Sequence, residues 1–282
     1  MPTLNPGRFL QRIRSGSRLA HTLWGVQYAT MLEYRAEIAL WALSGVLPFI
    51  MLSLWSAAGG AAAASGFSQP ELARYFLWAF VARQFSVVWV VWQFEEDTIQ
   101  GRLSPYLLQP LHPLWRYVAA HQAEQATRLP FVVAIAVVFF LLQPQAFSLP
   151  GPGRFLLGVL AVLLAFGLNF LLQSLIAALC FWSERASALE RLLYIPYLFL
   201  SGLVAPLETF PEPVRAWALR TPFPLMVAFP ARLLSGDPFP AGPHRLSVTG
   251  GFAALALWIA VLLPLLALVW RAGVRRYSAM GA

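Results

Sequence analysis

The feature that constrains this chain most is a series of long apolar runs almost free of charge. A helix needs about 20 apolar residues to cross a hydrocarbon core about 30 Å thick. Six segments qualify: Ile38–Ala58, Tyr75–Gln93, Leu129–Phe147, Phe155–Trp182, Ala186–Leu207 and Gly250–Trp270. The third is densest over Pro130–Leu142 and borrows length from Tyr117–Arg128. Pro48, Pro130, Pro196 and Pro264 fall inside or at the ends of spans, where neighbouring helices can re-satisfy the carbonyls they free. Hydrophobic residues make up 59% of the 282 and charged residues 11%, against about 45–50% and about 25% in soluble domains. The expectation is an all-α membrane protein with six transmembrane helices over 38–271, a cytoplasmic N-terminal region over 1–37 and a cytoplasmic tail over 272–282.

Six spans put both ends on one side, and arginine placement says which. Arg8, Arg12, Arg14, Arg18, Arg35, Arg102, Arg116, Arg128, Arg185, Arg191, Arg271, Arg275 and Arg276 fall on one face, against Arg74 and Arg154 in the short loops of the other. The longer fifth-to-sixth connection counts for less in the positive-inside rule, so both termini are expected in the cytoplasm. The first long apolar run begins only at Ile38, after a mixed basic stretch unlike a cleavable signal peptide. The net charge of +8 reads as arginine-rich edges facing anionic lipid, not as a nucleic-acid surface. Ala57–Ser65, made of small residues, reads as an outer loop.

Several chemistries are excluded. Every one of the 20 basic residues is arginine, so the chain has neither a phosphate-binding P-loop nor a Schiff-base lysine. The single cysteine, Cys180, makes no internal disulfide and no cysteine-rich metal site. There is no H-E-x-x-H or G-x-S-x-G, and the two aspartates, Asp97 and Asp237, lie outside the predicted spans. Neither catalysis nor a cofactor of its own is expected.

Three segments are neither span nor plain loop. Arg8–Glu37 spaces apolar residues between arginines, as in a helix lying in the membrane interface; a basic leader that only fixes topology is the other reading. Glu95–Pro113, on the cytoplasmic side, opens with Glu95, Glu96 and Asp97, carboxylates suited to a helix start. Gly101 permits a sharp bend, Leu103, Leu107 and Leu108 give an apolar face, and Pro110 and Pro113 stop the helix. This segment is either a docking knob for a partner or a helix resting on lipid. Ser201–Pro240 is too apolar for a free loop and too rich in proline for a span. Short helices over Val214–Leu219 and Leu225–Leu234, re-entrant in the outer leaflet, fit it best; a folded outer cap is the alternative.

Among the polar residues inside the spans, three stand out. Arg83, near the middle of the second, costs about 2.5–3.5 kcal/mol on insertion scales and so faces protein or water. Asn169 and Gln173, four apart, share one face of the fourth. All three are candidates for a substrate path, and equally for structural bonds between helices.

In this order, these segments resemble the membrane subunits, or permeases, of ABC transporters of the ABC-2 export class, over nearly the whole chain. The family's pattern of acidic residue, Ile, Gly, Leu and later Leu and Pro after the second span is matched by Glu95 or Glu96, Ile99, Gly101, Leu103, Leu108 and Pro110. Its Ser–Gly and proline series after the fifth span is matched by Ser201, Gly202, Pro206, Phe210, Pro211, Pro222, Phe223, Pro230 and Gly236. The resemblance implies that Glu95–Pro113 is a coupling helix seated on a soluble ATP-binding subunit present in two copies. That subunit would carry the ATP and Mg. A second permease, the same or related, completes the expected complex in lipid. The cargo would be amphipathic or lipid-like and would leave the cytoplasm or inner leaflet. The arginine- and alanine-rich usage fits a bacterial cytoplasmic membrane. A non-transporting scaffold or assembly factor is the alternative function.

Overall fold

The computed structural model describes residues 6–57, 67–183, 185–237, 239 and 246–277, and within them side chains from Arg18 onward except those of Arg35 and Ser44. Among these residues every regular element is helical. The expected outer loop at Ala57–Ser65 and the end of the tail lie outside the described residues beyond Ala57 and Tyr277.

The first described helix is α1, Pro6–Glu33, a helix of 28 residues that packs along the later helix Leu114–Leu142. The first span is broken into α2, Arg35–Ser44, and α3, Leu47–Ala57. The break falls at Gly45, where a Cβ would stand 2.2 Å from Gln84 Nε2. That amide donates to the Ala42 carbonyl at 2.8 Å, which at the break also accepts the Gly45 N–H at 3.3 Å. Gly45→Ala should therefore displace Gln84 and lower stability by about 1–2 kcal/mol, measured by unfolding in detergent.

The second span is also two helices. α4, Gln69–Ser86, starts with a capping box between Ser68 and Glu71; α5, Val90–Ile99, follows a non-helical step. In lipid the backbone groups such a break exposes must find protein partners. Four side chains supply them. Arg128 Nη1 donates to the Gln84 carbonyl at 2.9 Å and Gln125 Nε2 to that of Phe85 at 2.9 Å. Asn169 Nδ2 donates to the Ser86 carbonyl at 2.8 Å, and the Trp89 N–H donates to His121 Nε2 at 2.8 Å.

A five-residue helix, α6, Leu103–Leu107, leads to α7, Leu114–Leu142. The third long helix thus starts well before Leu129, and Arg128 lies buried within it and not in a connecting loop. Next come α8, Pro152–Ala177, tightened to a 3-10 turn over Ala178–Phe181, and α9, Ser187–Leu200.

Among the described residues, five helices are long and apolar enough to cross a membrane, one fewer than the six expected. The expected fifth span, Ala186–Leu207, contains only the 14 residues of α9, roughly 21 Å at about 1.5 Å per residue. It stops because the chain turns at Ser201–Gly202. Gly202 has φ +88°, and its carbonyl accepts the buried Tyr75 hydroxyl at 2.7 Å.

Short helices do form after it: α10, Glu212–Ala218, and α11, Ala228–Ser235. α11 is buried against α4 and α8. Ion pairs hold this layer, Arg232 to Glu208 at 2.9 Å and Arg74 to Asp237 at 2.7 Å. The last span, α12, Val248–Arg276, packs on α8. Gly251 lies flat on Phe229 and Gly273 on Phe181, too close for a Cβ.

Candidate functional site

The segment Glu95–Pro113 is a helix end, a sharp turn and a second short helix. Gly101 makes the turn with φ +70°, in the left-handed region that favours glycine. Glu95, Glu96 and Asp97 do not start a helix, as their charge suggests; they form the last turns of α5. Each has a partner that outweighs the helix dipole. Asp97 accepts from the Tyr117 hydroxyl and from Arg102 Nε, both at 2.7 Å. Glu96 pairs with Arg102 at 3.1 Å. These hydrogen bonds, Asp97's first and Glu96's second, push the exposed Arg102 guanidinium above its ordinary pKa. Glu95 accepts from the Ser187 N–H and hydroxyl at the head of α9, at 2.7 and 2.9 Å.

Leu103 is fully buried in a cluster with Phe94 and Tyr117. Of the expected coupling residues, Glu95 and Leu103 therefore hold the turn in place, whereas Ile99, Leu108 and Pro110 are exposed on it. Leu108 is 88% exposed. Further bonds brace the knob: Ser104 Oγ lies 3.1 Å from Tyr277 Oη at the end of α12, and Arg116 stacks on Tyr106 at 4.4 Å.

One helix, α5, leads from the knob to a cavity of about 1000 Å³. Its wall takes residues from α1, α2, α5, α7 and α9 and from the break before α5. Aromatic rings dominate: Tyr34, Trp41, Trp89, Trp92 and Tyr194. Trp41 and Trp89 meet at 5.8 Å between ring centroids. Four carboxylates, Glu37, Glu96, Glu124 and Glu190, stand against one cation, Arg191. Glu96 and Glu124 carry the nearby arginines Arg102 and Arg128. Glu190 accepts from Gln173 and Trp92, and Glu37 from the Trp41 indole at 3.3 Å. The Arg191 guanidinium lies over the Trp92 ring at 4.8 Å, so the wall already holds one cation on an aromatic face. The amide oxygen of Gln93, also in the wall, is buried without a hydrogen-bond partner among the described residues.

The candidate path residues separate. Asn169 and Gln173 line a narrow second cavity of about 30 Å³ that shares Trp89, Glu190 and Tyr194 with the large one. Asn169 also closes the helix break at Ser86. Arg83 lines neither cavity, and its Nε is buried with no hydrogen-bond partner among the described residues. Sequence reasoning missed the cavity wall and the polar face of α7. The spacing of His121, Gln125 and Arg128 in an otherwise apolar helix carried that second signal.

Searches of curated proteins and of solved structures returned no match. A family model described as ABC-2 family transporter protein matches residues 38–281, from the first apolar helix past the end of the last. That is nearly the whole helical assembly around the knob and cavity, and it identifies the chain as a member of the ABC-2 transporter family, a membrane permease subunit of an ABC transporter that works with an ATP-binding subunit.

Proposed function

We propose that this permease exports an amphipathic, positively charged molecule, taken from the cytoplasmic side through the aromatic cavity and driven by an ATPase docked on Ile99, Leu108 and Pro110. The observation that carries this reading is the double duty of α5. Its Trp92, Gln93 and Glu96 line the cavity, while its end turns directly into the exposed knob. Movement of the knob thus has a short, stiff route to the cavity wall. Rings with carboxylates between them suit a cation with an apolar body, because a ring face and a carboxylate both attract positive charge. Arg83, whose Nε has no hydrogen-bond partner among the described residues, supports a wet or subunit-facing position for that part of α4. In this reading α10 and α11 are the re-entrant outer layer, two permeases and two ATPases form the complex, and both termini are cytoplasmic.

A matched pair of ions tests the cargo. Tetraphenylphosphonium and tetraphenylborate share a shape and differ in sign. In vesicles holding the permease with its co-purified ATPase, the phosphonium should stimulate ATP hydrolysis at least threefold and the borate should not. Trp89→Ala and Glu190→Gln should each remove most of that stimulation. Equal responses to both ions, or a larger response to the borate, would show the cationic assignment to be wrong.

A further inference from the structure

We infer that Glu95 is a positioning residue that carries movement of the knob into α9, and through α9 into the cavity wall. The inference rests on the transporter reading above. In the family pattern the acidic position here, matched by Glu95 or Glu96, belongs to the stretch that meets the ATPase. In this structure both carboxylate oxygens of Glu95 are engaged with Ser187, the first residue of α9, 92 positions away. α9 has no capping side chain of its own, since Ala186 precedes it. Glu95 supplies that cap from another helix. A carboxylate at a helix N-terminus satisfies free N–H groups and complements the dipole, and charge-assisted bonds of this kind are among the stronger ones.

A second tie lies one turn away on each helix. Trp92, three residues before Glu95 and on the same face of α5, donates its indole N–H to Glu190 and carries Arg191 on its ring. So α5 and α9 are joined at two levels, and both line the cavity, α5 with Trp92, Gln93 and Glu96 and α9 with Glu190, Arg191 and Tyr194.

Both helices are also short, and each is cut off from its neighbour by a backbone break. α5 starts after the extended Val87, and α9 ends at Gly202 with its positive φ. A two-helix unit bounded in this way can shift against α4 without bending a helix. The links from the knob to α7 and to the end of α12, Asp97 to Tyr117 and Ser104 to Tyr277, do not reach α9. Glu95 is the hydrogen-bonded link from the knob segment to α9 among the described residues.

The test reads movement of α9 directly and needs no cargo. In the full permease–ATPase complex in vesicles, the native Cys180 is replaced by alanine and Tyr194→Cys provides a thiol in the cavity. Its rate of reaction with a maleimide is measured with and without ATP and vanadate. The parent should show at least a threefold change with nucleotide. Glu95→Gln removes the charge and one acceptor, and should abolish the change in complexes that still contain the ATPase. Glu95→Asp, which keeps the charge near α9, should restore part of it, and Ser187→Ala should weaken it.

An unchanged nucleotide response in Glu95→Gln overturns the inference, as does a parent thiol that never responds. Loss of the ATPase from Glu95→Gln and from Ser187→Ala would also overturn it, because the pair would then be serving the docking surface. Failure of the parent to bring down any ATPase is a separate result, visible before labelling, and counts against the transporter reading itself.

Discussion

Leu108→Asp should strip the ATPase from the permease while leaving the permease folded. Leu108 is 88% exposed at the tip of the knob, so no core contact inside the chain depends on it. An apolar anchor of this kind is what a partner's cleft buries, and losing a central anchor costs about 2 kcal/mol or more, roughly a thirtyfold weakening. A carboxylate in its place adds the cost of burying a charge without a partner. The contrast with Leu103→Asp makes the result specific. Leu103 is fully buried beneath the same turn, against Phe94 and Tyr117. Aspartate there should destroy the knob and lower the amount of folded permease recovered from membranes. The expected pattern is loss of the ATPase with normal yield and melting temperature for Leu108→Asp, and loss of both for Leu103→Asp. ATPase retained at parental level by Leu108→Asp would remove the knob from the docking surface.

The pair also shows which parts of the fold are legible in sequence. The knob is, because its signals are local: Gly101 turns the chain with φ +70°, and Pro110 and Pro113 follow the short helix. The short helices after Ser201 are legible too, since prolines interrupt an apolar stretch at fixed points. The break before α5 is not. Val87–Val91 is as apolar as any helix interior, and what lets it unwind are His121, Gln125, Arg128 and Asn169, supplied by two other helices. The same physics shortens α9, where composition suits a span but Tyr75 captures the Gly202 carbonyl. Glu95–Asp97 mislead for a related reason. A local rule puts carboxylates at helix starts, whereas distant Ser187 and Tyr117 give these residues better partners at a helix end. The cavity is invisible to any local rule, because its wall is assembled from five helices and the break before α5.

The buried Arg128 is where this dependence on distant partners should be costliest to disturb. Its guanidinium, at 3% exposure, bonds the Gln84 carbonyl at 2.9 Å, the Gln84 side-chain oxygen at 3.3 Å and the Glu124 carboxylate one turn back. Gln84 in turn holds the Ala42 carbonyl, so one residue ties α7 to the breaks in both the first and second spans. Arg128→Met keeps the length and apolar stem of the side chain. It also leaves the partly buried Glu124 carboxylate and the Gln84 carbonyl without their donor. Removing one partner of a buried pair costs about 3–5 kcal/mol, far more than the intact pair contributes relative to an apolar replacement. The variant should therefore have the lowest melting temperature of the single substitutions made outside Leu103. Adding Glu124→Leu should recover at least half of the loss, because the stranded charge disappears while the Gln84 carbonyl stays unpaired. A double variant no better than Arg128→Met would place the cost at the break itself, with the bond to Gln84 and not the ion pair as the support of the second span.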